Sequence, residues 1–386
     1  MSIYPTVRPS LTLDFQKSKQ LDPRISFSRS SSATYVEGGV VKYADEHQAR
    51  FEKEGLLIEE SRTNFLYPSI VPSSTSGLLY VDGAAVTTNA GTAPDGTNTA
   101  SLVEQASGTG YNRIYFFTGG TVRDESYSFF VKASSPDAVF GFYITGDTSP
   151  GGQINYTFST GTVSGSFPGD VSVEPYPNGW VRLSTTSSVR TTTPSVSFAS
   201  ILNFTGDFFI WGVQREAGSF QTSHIPTSGS EAIRAADVAS VAGTNFSSWY
   251  NQSEGTFLSQ LARLGSPNTG SIGAIIGGSN PNASSSSNHI LVGNGNAAIS
   301  STGGASYAFA LSSTGVHNLV NAYKLNDFNA AYDGNSLTAD TSYTPPACTQ
   351  LVFAGLFPIV SNTGHIARLS YYSRRLTDLE LETLTL

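Results

Sequence analysis

Apolar and polar positions along this chain change over in short runs rather than in helical stripes. From about 67 to 235, "YSFFVKA" (127–133), "VFGFYIT" (139–145) and "WVRLSTTSS" (180–188) read as strands. "GDFFIWGVQ" (206–214) holds four consecutive large apolar residues, which fits a strand covered on both faces. The stretches between them, "GTAPDGTNTA", "DTSPGGQ" and "PYPNGW", carry the Gly, Pro and Asn of tight turns. Many short strands separated by such turns predict a sandwich.

The same texture returns from about 254 to 374. Strands are predicted at "GTFLSQLARL" (255–264), "SIGAIIGG" (271–278), "NHILVG" (288–293) and "HNLVNAYKL" (317–325). Three more follow at "FNAAYDG" (328–334), "TQLVFAGL" (349–356) and "HIARLSYYS" (365–373). Residues 279–316 are Ser-rich and irregular. Between the two blocks, "SGSEAIRAADV" (228–238) reads as a linker with room for one helical turn. One helix is predicted, over "RLTDLELETL" (375–384). Thr377 and Glu380 have the spacing of a capping box, and Leu376, Leu379 and Leu384 are placed to face the sandwich.

Composition sharpens this picture. At 386 residues the chain is too long for one ordinary core. Gly (38), Phe (23) and Tyr (18) are abundant, as strands and turns require. Charged residues make up 13%, against about 25% in an average soluble domain. They are also uneven: residues 1–66 carry nine Lys/Arg and nine Asp/Glu, and the other 320 residues share 32. Such a shift marks a segment with a separate job. The expected fold is therefore all-β: an extended N-terminal anchoring segment (1–66), two antiparallel jelly-roll-like sandwiches (67–235 and 236–386), and a short C-terminal helix.

Net charge is −8, with no basic patch to neutralise a row of phosphates, so nucleic acid is not the expected partner. No window approaches the ~18 apolar residues of a membrane span, so no membrane insertion is expected. "MSIYPTVRPSLTLDF" shows no secretory signal. The single cysteine, Cys348, excludes an intrachain disulfide and a Cys-based zinc site.

Candidate chemistry is sparse. "LLIEESRTNFL" (56–66) sets two carboxylates beside Ser61, Arg62 and Asn64. Neighbours on a strand point to opposite faces, so Glu59 and Glu60 cannot share a proton. On a helix they sit about 100° apart. The segment reads as a structural clip, with Leu56, Leu57 and Ile58 buried and Glu60 paired to Arg62 on one strand face. No two of the five histidines have metal-ligand spacing, and His365 is expected to pack at the start of the last strand. No nucleophile elbow, phosphate loop or dinucleotide fingerprint is present. Asn326, Asp327, Asp333 and Asn335 could offer oxygens to calcium, although turn chemistry is the commoner reason for such residues; Asp327 and Asp333 are the metal candidates, and no other cofactor is expected. Trp249 and Tyr250 could stack on a sugar or fill a seam.

The segment "LDPRISFSRSSSATYVEGGVVKYADEHQARFEKEGLLIEESRTNFL" (21–66) resembles the conserved head-spike or fibre segment of tailed-phage virion proteins. Its landmarks are Asp22-Pro23-Arg24, Phe27-Ser28-Arg29, Ala33-Thr34-Tyr35, "QARF" (48–51) and Leu56 to Leu66. Ala49 stands where the usual pattern has Pro. "AGTAPDGTNTASLVEQ" (90–105), "YSFFVKAS" (127–134), "NGWVRLS" (178–184) and "FFIWGVQREAGSFQTSHIPTSGSEAIRAADV" (208–238) resemble the carbohydrate-binding-like sandwich of the same group. "GHIARLSYYSRRLTDLELETLT" (364–385) resembles its laminin-G or concanavalin-like jelly roll.

The resemblance implies a non-enzymatic virion surface protein, a capsid fibre or decoration or a tail-fibre component. It implies other virion proteins as partners, self-association as a homotrimer, and possible contact with host surface polysaccharide. Asp22, Arg24, Arg29, Tyr35, Arg50, Glu59, Glu60 and Arg62 are then the expected anchoring and assembly residues. Removing 1–66 is expected to leave two folded sandwiches. A glycan depolymerase is the competing enzyme class, and needs two carboxylates about 5–10 Å apart in a groove. A free lectin is the competing binding class.

Overall fold

A computed structural model describes residues 4–104, 113–118, 124–144, 152–166, 171–187, 197–201, 205–263, 272–277, 289–294, 298–299, 306–307, 316–353 and 363–386. The Ser-rich 279–316 region falls largely outside them. The all-β expectation holds. The named strands pair antiparallel, and short helical turns and one C-terminal helix complete the fold. The chain divides into two units. The N/C unit comprises Met1–Tyr35, Ala44–Ser61 and Ala235–Leu386, and the middle unit comprises Val36–Tyr43 and Arg62–Arg234.

The middle unit is a sandwich of two six-stranded sheets. One runs Val171–Pro175, Val181–Ser187, Glu125–Ala133, Phe208–Ala217, Ala100–Glu104, Ala85–Gly91. The other runs Thr162–Ser164, Gly152–Thr157, Val139–Ile144, Ser197–Ile201, Arg113–Thr118, Tyr80–Asp82. Phe129, Val131, Phe208 and Ile210 of the first pack against Phe116, Phe140, Phe142 and Ile154 of the second. The first sheet's outer face is covered as well, where Phe130 and Trp211 meet Tyr176 and Trp180. That double cover is why "FFIW" is apolar at every position. Between Phe130↔Trp211 and Ser128↔Gln214 the register slips by one residue. Gly212, at φ +62°, takes the left-handed conformation of this bulge, which few other residues accept.

The N/C unit pairs an eight-stranded sheet with a five-stranded one. The larger runs Asn335–Ser336, Asp327–Tyr332, Val316–Lys324, Glu254–Arg263, Gly364–Tyr372, Gly55–Ile58, Arg50–Glu52. The smaller runs Ser26–Ser28, Val238–Ala242, Gln350–Phe353, Ile272–Gly277, His289–Asn294. The core between them gathers Leu56, Ile58, Leu261, Ile366 and Leu369 with Val241, Leu351 and Phe353. The C-terminal helix, Asp378–Thr385, starts at the predicted capping box: Thr377 accepts from the Glu380 amide and Glu380 from the Thr377 amide. Leu376 and Leu381 cover Leu258, Val320 and Ala331 on the sheet's outer face. Leu379, expected to face inward, is exposed, and Leu381 is buried in its place.

Two expectations of chain organisation change. Residues 1–66 do not form a separate extended arm: Leu11–Asp14, Ser26–Ser28, Arg50–Glu52 and Gly55–Ile58 are strands of the N/C sheets. One edge of the last strand, Gly364–Tyr372, pairs with Glu254–Arg263. Its other edge is filled entirely from the N-terminal segment, Gly55–Ile58 opposite 364–366 and Leu11–Asp14 opposite 368–371. A strand left unpaired there would expose a row of unsatisfied amides and carbonyls, so the N-terminal segment is part of the sheet. The chain does pass between the units within 228–238, as expected, but the stretch is partly strand. Ala232–Arg234 pairs with Arg62–Asn64, and Val238–Ala242 joins the smaller N/C sheet.

Candidate functional site

Four charged side chains of the N/C unit meet in its interior. Arg50 donates to Glu59 at 2.6 Å and to Asp237 at 2.5 Å, and Arg29 donates to the other oxygen of Asp237 at 3.0 Å. All four side chains are shielded from solvent. The cluster is neutral, and main-chain groups complete it. Arg50 also donates to the Thr34 carbonyl, Arg29 to the carbonyls of Ser31 and Asp45, and the Glu59 amide to Asp237. The Asp237 amide donates back to the Glu59 carbonyl. Burial works against the charge on Arg50, but Glu59 and Asp237 outweigh it and hold its pKa above the ordinary value. The cluster ties residues 29, 50 and 59 to residue 237, where the chain re-enters the unit.

A second buried polar framework organises the middle unit. Glu125 accepts from Arg215 and from the Tyr127 hydroxyl. Glu216 accepts from Gln214, the Thr222 amide and the Thr222 hydroxyl. Arg182 donates to the Thr222 carbonyl, and Arg234 to the Thr222 hydroxyl. Asn64 uses both ends of its amide: it donates to the carbonyls of Ile225 and Val213 and accepts from the amides of Leu66 and Arg215. The stretch "QREAGSFQTSH" is thus an internal scaffold. Its Gly218, at φ +127°, leaves room for the Arg62 guanidinium, which lies over the Phe220 ring at 4.7 Å.

The predicted anchoring residues scatter. Arg29, Arg50 and Glu59 are buried in the first cluster, where their charges are used within the chain. Glu60 is half-buried, and its amide donates to Thr363. Arg62 is buried in the middle unit. Tyr35 is half-buried in the strand Ala33–Glu37. Asp22 and Arg24 form a two-pronged pair of 2.8 Å bonds at the surface, and the Arg24 bond draws the Asp22 carboxyl below the usual range. Leu56, Leu57 and Ile58 are buried as expected.

The sugar-stacking expectation for Trp249 and Tyr250 is corrected. Trp249 is 5% exposed, packs edge-on to Phe246 and Tyr371, and donates its indole N–H to the Asn245 carbonyl. Tyr250 lies against Phe246 and Tyr323, and burial raises its hydroxyl pKa. Both fill a seam because the short helix Thr244–Ser247 turns them inward. Cys348 is buried nearby, its thiol pushed up to about 11 by desolvation. The calcium candidates are engaged separately: Asp327 pairs with Arg375, and Asp333 lies 3.4 Å from His317.

Two features were not found from sequence. On the outer face of the middle unit's second sheet, Tyr80 and Tyr115 stack with ring centroids 5.1 Å apart and planes 14° off parallel. Arg113 lies over Tyr115 and donates to Asp82. In the same sheet, register sets Tyr143 opposite Gln153. In the N/C unit, Glu52, Glu54 and His365 bring donor atoms within 4.8 Å of one another. Residues 52 and 365 are too far apart in sequence for any spacing rule to join them.

Fold and sites thus define an all-β protein of two antiparallel sandwiches. No family model matches the chain, and no curated protein matches it. Among solved structures it is similar to the Trypanosoma rangeli sialidase in complex with sialic acid, at 11% identity over 92% of this chain and 76% of that one. The TM-score is 0.28, and at that level the likeness carries no argument.

Proposed function

We propose that the chain is a non-enzymatic structural appendage on the surface of a tailed-phage virion, a fibre or decoration that self-associates as a trimer. The observation that carries this reading is where the two most specific resembling segments lie. Segments 21–66 and 208–238 supply the residues of the two buried polar frameworks, Arg29, Arg50 and Glu59 in one and Arg215, Glu216 and Thr222 in the other. Residues that organise an interior are those through which a shared architecture leaves its mark on sequence, and this supports reading the resemblance as one of fold. Attachment to the particle then falls to exposed surface of the N/C unit, such as the Asp22–Arg24 pair, rather than to a free arm.

Host glycan is the outward partner in this reading. The Tyr80–Tyr115 stack with Arg113 and Asp82 beside it sets partly exposed aromatic rings among hydrogen-bonding groups, the combination that sugar rings require. Gold-labelled antibody against the chain should decorate purified particles, and the isolated protein should bind host surface polysaccharide without shortening it. Tyr115→Ala should weaken that binding and leave particle labelling intact. Absence from particles would refute the appendage. Cleavage of the polysaccharide would replace it with a depolymerase.

A further inference from the structure

We propose that Glu52, Glu54 and His365 form a zinc site that staples the N-terminal segment to the last strand. The three donor atoms lie within 4.8 Å of one another, and His365 Nε2 is 2.8 Å from Glu52 Oε2. Oxygen and nitrogen ligands held at 2.0–2.2 Å around a tetrahedral ion stand roughly 3.4 Å apart. The His365–Glu52 spacing is shorter than that value and all three spacings are under 4.8 Å, so small side-chain rotations suffice.

The backbone fixes two of the ligands. Arg50–Glu52 and Gly55–Ile58 form a hairpin, and Gly55–Ile58 pairs with Gly364–Tyr372. Register sets Arg50, Leu57 and His365 side by side on one face, and Glu52 follows Arg50 on that face two residues on. Glu54 comes from the turn between the hairpin strands. His365 is 3% exposed, so its imidazole is held by the sheet. Both glutamates are partly exposed, which leaves an entry path. Glu54 makes no hydrogen bond or ion pair among the described residues. Nearby, the Lys19 ammonium donates to the main-chain carbonyls of Glu52 and Lys53, so it braces the turn from the main chain.

The donor set selects the ion. One imidazole with two carboxylates suits zinc, with water in the fourth position. Calcium takes six to eight oxygens and magnesium keeps most of its water, so neither is matched by this set. A bound ion would cross-link positions 313 residues apart, adding a staple where the N-terminal strands close the sheet edge.

The test uses the full chain, stripped with chelator and titrated with zinc chloride. The intact protein should retain one zinc per chain by elemental analysis, with a thermal midpoint that rises on zinc addition and returns on chelation. Calcium and magnesium at the same concentration should leave the midpoint unchanged. Glu54→Gln lies in a turn and should keep the metal-free midpoint while weakening zinc binding at least about 10-fold. His365→Gln serves as a second variant, and the ring signals of His365 should shift on zinc addition in the parent protein. Failure to retain zinc, or equal zinc affinity in the parent and Glu54→Gln, would overturn the site.

Discussion

Arg50 and Asp237 are 187 positions apart and meet in a solvent-free ion pair of 2.5 Å. Asp237 also holds Arg29, so one carboxylate balances charge from two guanidinium groups. Asp237→Asn leaves the cluster with two cations against Glu59 alone. Breaking a buried pair by removing one partner costs about 3–5 kcal/mol. Urea unfolding followed through Trp249, the tryptophan of the N/C unit, should show a loss of that size. Glu59→Gln should behave alike, whereas Glu60→Gln, at a half-exposed position, should cost less than about 1 kcal/mol. Equal effects at Glu59 and Glu60 would contradict the arrangement.

Truncation tests the role of the N-terminal strands. Deleting residues 1–20 removes Leu11, Leu13 and Phe15 from the core and uncovers one edge of the last strand. Each such side chain contributes about 1.5–3 kcal/mol, so the total approaches the roughly 5–15 kcal/mol that holds a whole domain together. The truncated chain should lose protease resistance in the N/C unit. Deleting 1–66 should do so more severely, since Arg29, Arg50 and Glu59 go with it. A truncated protein with native Trp249 fluorescence would show that the segment is an independent arm after all.

Much of this architecture was legible in the chain, and the failures have a common cause. The last strand, the double-covered "FFIW" run and the Thr377–Glu380 cap all rest on local pattern, and local pattern survives folding. The charge-rich N-terminal stretch reads as a separate anchoring segment because its charge density sets it apart from the rest of the chain. Three of those charges, on Arg29, Arg50 and Glu59, are instead balanced inside the protein with Asp237, a residue from the far side of the middle unit's sequence. Likewise "SSWYNQ" is polar around two aromatic residues, and only the turn at Thr244–Ser247 sends both rings inward. Glu52 and His365 share a face only once their strands are in register. Long-range pairing of this kind leaves no trace in spacing.

Gly218 supplies a prediction about close approach. An alanine Cβ there would collide with Arg62 Nη1, in a backbone conformation that side chains rarely adopt. Gly218→Ala must therefore displace the guanidinium from Phe220 as well as strain the chain. A loss of about 2 kcal/mol or more is expected, combining backbone strain with a broken cation–π contact. Gly229→Ala is the control, because nothing lies within 4 Å of that position, and it should stay within about 0.5 kcal/mol of the parent. Equal urea midpoints for the two variants would contradict the packing of Arg62.

His224 makes the middle unit sensitive to acid. Its ring is buried 4.7 Å from Trp211 and edge-on to Phe130. Desolvation first, and the charge of Arg182 second, push its pKa from 6.5 down to about 3. Between those values the unfolded chain carries a proton on this imidazole and the folded chain does not. The unfolded state binds more protons there, so stability rises with pH and is lost as pH falls from 6.5 toward 3. One proton corresponds to about 1.4 kcal/mol per pH unit, and the full window to about 5 kcal/mol. His224→Leu cannot take up that proton. Its stability, followed by the fluorescence of Trp180 and Trp211, should fall less steeply with acid than that of the parent. The carboxylates titrating in the same range are common to both proteins and cancel in the difference. Parallel curves for parent and variant would mean that the buried imidazole accepts its proton without unfolding the unit.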